Sequence, residues 1–250
     1  MSFLIGLNKE LNDLTSQINQ DDINHLNHFV LEYQDLISKN KFVSNKEIIT
    51  LKSLYEECFS RFINLNERKL VKKFCKRNKY SHDDIKNAID LYLNIGENIV
   101  KHNKQFIENG LVEYKDYFNT ILKKDNPSIL LDEEQREVIL NDEDNCLVVA
   151  GAGAGKTTTI IAKVKYLVEK RGIDPQKILV VSFTNKAVNE LKERLNTILE
   201  IPCRISTFHA CGFSIVRAIN DKKYKVISDG GLYNIIKGYI SNTVSQDKMM

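Results

Sequence analysis

A chain of 250 residues with 42% apolar content and a net charge of +3 has material for a real core and is not a polyelectrolyte tail. Its five cysteines, at 58, 75, 146, 203 and 211, include no C-x-x-C pair, which argues against a disulfide scaffold or a cysteine zinc site. They read as small buried hydrophobes in a reducing compartment.

The opening Met1–Leu7 is too short for a signal core, and nowhere do about 18 apolar residues run together, so a cytoplasmic protein without a membrane partner is expected. Residues 1–126 hold no proline and three glycines, and their apolar residues recur every three or four positions. Ile23, Leu26, Phe29, Val30, Tyr33, Leu36 and Ile37 form one helical stripe. A second runs through Ile48, Leu51, Tyr55, Cys58, Phe59, Phe62 and Ile63. Ile85, Ala88, Ile89, Tyr92 and Ile95 suggest a third helix, and residues 106–122 a last stretch, giving an all-α hairpin or small bundle. His25 and His28 sit three apart on the first helix with no further ligand types nearby, so no metal site is read there.

Between the second and third helices, Arg68, Lys69, Lys72, Lys73, Lys76, Arg77 and Lys79 crowd together with no acid among them. Such a run fits either a phosphate backbone or the solvated face of a helix that buries Leu70, Val71, Phe74 and Cys75. The helical pattern stops at Asp125–Ser128, where Pro127 and turn formers interrupt it. That places a boundary between a helical region, 1–126, and a second region, 127–250.

After the boundary, β-rich runs alternate with helical segments: Cys146–Ala150, Ile178–Phe183 and Arg204–Thr207, with a further strand-like piece at 224–227 and a helix over 232–241. This α/β pattern predicts a parallel sheet, whose ligands gather beyond the carboxyl ends of its strands. The first run opens into Gly151, Ala152, Gly153, Ala154 and Gly155, followed by Lys156, Thr157 and Thr158. Such glycines let amides converge on one point, and the helix that follows adds its positive end, so this is a triphosphate cradle. Lys156 is expected on the β- and γ-phosphates and Thr157 on Mg²⁺, with Thr158 and the loop residues from Ala150 lining the nucleotide. Ile160, Ile161, Val164, Leu167 and Val168 follow at helical spacing.

Four segments in order resemble the UvrD/Rep-like DNA helicases of superfamily 1, with the helical front half pointing to the DNA helicase IV branch. Residues 131–139 are similar to the family's Q motif, with Gln135 on the adenine edge, although Asp132 and Val138 depart from the usual Asn and Ala. The phosphate loop follows, with Ala150 where the strict pattern has Gly. Residues 182–194 are similar to motif Ia, which implies single-stranded DNA contacts from Phe183, Thr184, Asn185 and Lys186. Residues 206–210 resemble motif Ib, with Thr207 and His209 as further contacts. Phe183 reads equally well as an aromatic DNA contact or a buried strand residue.

The resemblance implies a partial RecA-like P-loop lobe over 127–250, using ATP and Mg²⁺ and moving 3′ to 5′ on single-stranded DNA. Hydrolysis also needs a carboxylate pair at a strand end, and none follows Thr157. Ile129–Gln135 has the look of such a Walker B strand, but it precedes the loop and its Gln135 falls where the Q motif belongs. The expectation is therefore a helicase front portion that binds ATP weakly and does not unwind DNA alone. The alternative is a non-catalytic remnant or subunit whose helical half holds a protein partner. A P-loop ATPase unrelated to DNA is disfavoured by motifs Ia and Ib.

Overall fold

In the computed structural model the described residues are 12, 18–66, 71–219 and 229–247. By packing, the chain forms two compact units, 1–172 and 173–250. The strand-like piece at 224–227, the opening Met1–Leu7, and Arg68, Lys69 and Leu70 of the basic run lie outside the described residues.

The first unit is helical: α1 (Gln20–Ser38), α2 (Asn45–Asn66), α3 (Val71–Asn78), α4 (His82–Leu93), α5 (Ile95–Glu113), α6 (Lys115–Thr120), α7 (Glu133–Leu140) and α8 (Lys156–Glu169). Helices α1, α2 and α4 pack together through the apolar stripes, with Phe29, Phe59 and Tyr92 at the centre. The Phe59 and Tyr92 rings stack at 4.1 Å, and Phe29 meets Phe59 edge-on at 4.8 Å. Each such aromatic pair is worth about 0.5–1.5 kcal/mol beyond its area. Asn19 and Asp22 close a capping box at the start of α1, and the buried Asp22 also receives Arg61 from α2. The expected third helix ends at Leu93, and Ile95 instead opens α5, because Asn94 leaves the helical conformation. The stretch expected over 106–122 breaks similarly at Tyr114.

Two clamps hold these helices to the rest of the unit. Asn103 of α5 grips Val43 by both its amide (2.9 Å) and its carbonyl (2.8 Å), pinning the α1–α2 loop. Tyr114 and Phe118 meet Tyr166 of α8 at 5.8 and 6.3 Å, and the Tyr117 hydroxyl donates to Glu169 at 2.8 Å. The turns at 121–128 therefore lie inside this unit, spanned by contacts between residues some fifty positions apart. Of the stripe expected on α8, Ile161 and Val164 are buried but Ile160 is 45% exposed; the buried face is completed by Thr159, Ala162 and Tyr166.

The second unit carries a two-stranded parallel sheet, β1 (Leu179–Ser182) with β2 (Arg204–Thr207), in the register Leu179 to Arg204 through Ser182 to Thr207. Helix α9 (Asn185–Lys192) continues into a π-helical turn, Glu193–Ile198, and α10 (Phe208–Ile219) follows β2 directly. Both helices pack on both strands, burying Val180, Val188, Leu191, Leu195 and Ile205. A final helix, α11, spans Asp229–Asp247.

Most of the described chain is thus helical, and the expected strand Cys146–Ala150 is absent. Leu147 and Val149 are each 88% exposed and residues 146–150 join no ladder among the described residues. The reason is general: a β-branched run supplies propensity, but a strand exists only when a neighbour takes its backbone N–H and C=O groups. The expected α/β class survives as one parallel pair, without a complete RecA-like sheet in the described residues.

Candidate functional site

Two constellations hold the residues singled out above, one in each unit. In the first, residues 151–155 turn sharply and deliver the chain into α8. Gly153 and Gly155 sit at φ +79° and +74°, a left-handed conformation that costs other residues about 1–2 kcal/mol. Gly155 is the N-cap of α8, so no side chain satisfies that helix's first amides, and its first turn holds no acid. A helix N-terminus without a side-chain cap or an acid in its first turn has the polarity that suits an anion.

Lys156 arches back over this loop, its Nζ donating to the Gly151 carbonyl at 2.6 Å and the Ala150 carbonyl at 3.3 Å. The ammonium is exposed and stands over the loop, while Thr157 and Thr158 are half-buried in the first turn. Thr159 is buried and donates its hydroxyl to the Gly155 carbonyl at 3.1 Å. The loop itself is open: Gly151, Ala152, Gly153 and Ala154 are exposed, and Ala150 and Gly155 at its two ends are half-buried.

Gln135 meets the loop directly. Its Nε2 donates to the Ala154 carbonyl at 3.3 Å, while its Oε1 accepts from the Asp132 amide at 3.1 Å. Asp132 returns the bond, accepting from the Gln135 amide at 2.8 Å. Asp132 and Gln135 therefore form a capping box on α7, a pattern visible in the sequence as Asp-x-x-Gln. This geometry removes the Walker B alternative for Ile129–Gln135, because Asp132 is a helix cap and Glu133 the first helical residue.

Sequence reasoning missed Lys163. From α8 its Nζ donates to the carbonyls of Ile139 (2.7 Å) and Asn141 (2.6 Å), capping the C-terminus of α7. Burial pushes its pKa below the usual lysine value, with Asp142 opposing. Arg136 fixes α7 on its other side, bonding the Leu131 carbonyl at 3.0 Å and Asn119 at 2.9 Å. A lysine inside an amphipathic helix gives no sequence signal for such a role.

In the second unit, β1 and β2 each end in a turn capped by a threonine. Thr184 accepts from the Ala187 amide and Thr207 from the Ala210 amide, both at 3.2 Å, so each hydroxyl starts a helix. Because Ser182 and Thr207 are register partners, both turns leave the same end of the strand pair. Phe183 is 77% exposed, which decides against the buried-strand alternative; Asn185, Lys186 and His209 are exposed beside it. Phe208, 66% exposed and not singled out in the sequence, leaves the adjacent strand end. Its signal was available, an aromatic directly after a strand ending in Thr. Exposed rings with nearby cations and hydroxyls suit stacking against bases and bonding to phosphate.

Among the described residues, no cluster of three or more His, Cys, Asp or Glu could hold a metal, and no helix is long and apolar enough to cross a membrane.

Residues 131–243 match the UvrD/REP helicase N-terminal domain family. The chain is 38% identical over 128 residues to a probable DNA helicase II homolog of Mycoplasma capricolum, covering 48% of this chain and 18% of that protein. It is 33% identical over 132 residues to DNA helicase IV of Escherichia coli K12, covering 52% of this chain and 18% of that protein. Over 94 residues it is 39% identical to the ATP-dependent DNA helicase Rep of Buchnera aphidicola, covering 36% and 14%. The resemblance read from the four motifs therefore holds over the region they occupy. The chain spans less than a fifth of the length of each of these relatives.

Proposed function

We propose that this chain supplies the ATP-binding front of an ATP-dependent DNA helicase that moves 3′ to 5′ on single-stranded DNA. The observation that carries the reading is the turn from Gly151 to Gly155, which presents the uncapped N-terminus of α8 beneath the Lys156 ammonium. Magnesium–ATP fits this cradle: the two left-handed glycines leave no side chain larger than a methyl in the turn, and no acid opposes a phosphate in the first turn of α8. Bound there, it supplies the phosphoryl group whose transfer drives the relatives' work and the cation that screens its charge.

In this reading Lys156 exchanges its loop carbonyls for the β- and γ-phosphates, and Thr157 offers its hydroxyl to Mg²⁺. The main-chain amides from Gly151 to Thr158 hold the phosphate oxygens, and Gln135 faces the adenine edge. Phe183 and Phe208 stack on bases, while Thr184, Asn185, Lys186, Thr207 and His209 hold the sugar–phosphate chain. Residues 127–250 belong to one RecA-like lobe, and the helical region before them is available to a protein partner. Lacking an acid pair after Thr157, the 250-residue polypeptide binds nucleotide without unwinding.

The test is binding of fluorescent ATP, with and without Mg²⁺, and of a labelled single-stranded oligonucleotide. Lys156→Ala is expected to abolish measurable nucleotide binding while leaving oligonucleotide affinity within twofold. Equal ATP affinity in the variant would refute the site, and strand-stimulated hydrolysis that Lys156→Ala removes would refute the claim of inactivity.

A further inference from the structure

Helix α3 is eight residues long and presents four cations, with a fifth immediately after it. Lys72, Lys73, Lys76, Arg77 and Lys79 are all exposed. None of them makes an ion pair within the described residues. Lys72 with Lys76, and Lys73 with Arg77, stand at the i, i+4 spacing where like charges repel. The nearest acids downstream, Asp83 and Asp84, open α4, where a helix N-terminus favours them, and Asp83 faces His82 at 3.3 Å.

This self-repelling face is held on a rigid base. Phe74 and Cys75 are buried in the core, Tyr80 packs on Phe74 at 6.0 Å, and the Tyr80 amide donates to the Cys75 carbonyl at 2.9 Å. The result is a helix-ending turn in which Lys79 occupies the left-handed position, at φ +60°, that glycine usually takes. A cation is thus kept where the backbone favours another residue, next to four more.

We propose that the α3 face is a nucleic-acid site of its own, gripping the phosphate backbone of DNA without reading bases. It goes beyond the function proposed above, since it lies in the first unit and uses none of the residues assigned to nucleotide or strand there. Backbone binding needs only cations spaced along a surface, which this face has. An anionic membrane is disfavoured because Phe74 and Cys75, the described apolar side chains of α3, are already spent on the core. An acidic protein partner is disfavoured because, among the described side chains of α3 and its closing turn, no aromatic or aliphatic group stands exposed as an anchor beside the cations.

The test compares a variant carrying Lys72→Gln, Lys73→Gln, Lys76→Gln and Lys79→Gln with a charge-matched control. The control carries Lys46→Gln, Lys101→Gln, Lys115→Gln and Lys123→Gln, all exposed and scattered. Binding of labelled duplex and single-stranded oligonucleotides is measured across salt, with thermal unfolding of each variant alongside. The α3 variant is expected to melt like the parent and lose about tenfold or more in affinity at low salt. Its log–log salt slope should fall by about two or more, from roughly 0.9 per duplex phosphate contact or 0.7 per single-strand contact, while the control keeps the parent slope. Loss on either oligonucleotide supports the site and tells which form it grips. An α3 variant indistinguishable from the control on both oligonucleotides overturns it. Phe183→Ala, measured in parallel, separates the two readings: it should weaken single-strand binding and leave the salt slope alone.

Discussion

A methyl group placed on Gly155 would stand 2.5 Å from the Nε2 of Gln135. Gly153, by contrast, has no atom within 4 Å of where its methyl would go, although both glycines are left-handed. Gly153→Ala should therefore cost only the backbone term, about 1–2 kcal/mol, whereas Gly155→Ala adds the displacement of Gln135. Gly155→Ala should be the more destabilising of the two, and Gln135→Ala should relieve part of that extra cost but none of the cost of Gly153→Ala. Urea unfolding of the single and combined variants measures the difference.

Lys163→Met keeps most of the side-chain volume and removes the ammonium that two carbonyls of the α7 terminus accept. Leaving them without a donor is expected to cost about 1–3 kcal/mol, read as a lowered urea midpoint with an unchanged slope. An unaltered midpoint would mean that water replaces the ammonium at no cost.

Phe183→Ala and Phe208→Ala remove rings that the fold leaves exposed, so neither should lower the melting temperature measurably. Each is expected to weaken single-stranded oligonucleotide binding, by about 1–3 kcal/mol per stacked base. Wild-type affinity in both variants would return these rings to ordinary surface residues.

Tyr117 supplies the pH-dependent prediction. Burial first, and then the hydrogen bond to Glu169, push its pKa above the usual tyrosine value. The folded state therefore keeps the proton that the unfolded chain releases near pH 10, so this stabilisation is whole below pH 10 and drains as pH rises beyond it. Tyr117→Phe lacks the ionising group, and the stability gap between parent and variant should narrow steadily above pH 10. Urea unfolding at pH 8 and through the alkaline range checks the sign.

The helical front was legible because its core obeys one period: Phe29, Phe59 and Tyr92 each lie on a stripe visible in the sequence, and they meet at its centre. The turn at the phosphate loop was legible because glycine is nearly alone in tolerating φ near +75°. Cys146–Ala150 misled for the opposite reason, since strand propensity is local whereas a strand needs a partner. The packing of Tyr114, Tyr117 and Phe118 against α8 could not be read either. Nothing in the period of either segment announces a contact made across the intervening turns. Lys163 was hidden by its type, for a lysine on an amphipathic helix is ordinarily solvated.

Helix α7 is gripped at its two extremities by one neighbour, the Ala154 carbonyl reaching its start through Gln135 and Lys163 holding its finish. With Arg136 tied to Asn119 between them, a ligand that draws Gln135 off the loop frees only the first turn of α7 while the rest stays anchored, so faster amide exchange should be confined to the start of Glu133–Leu140.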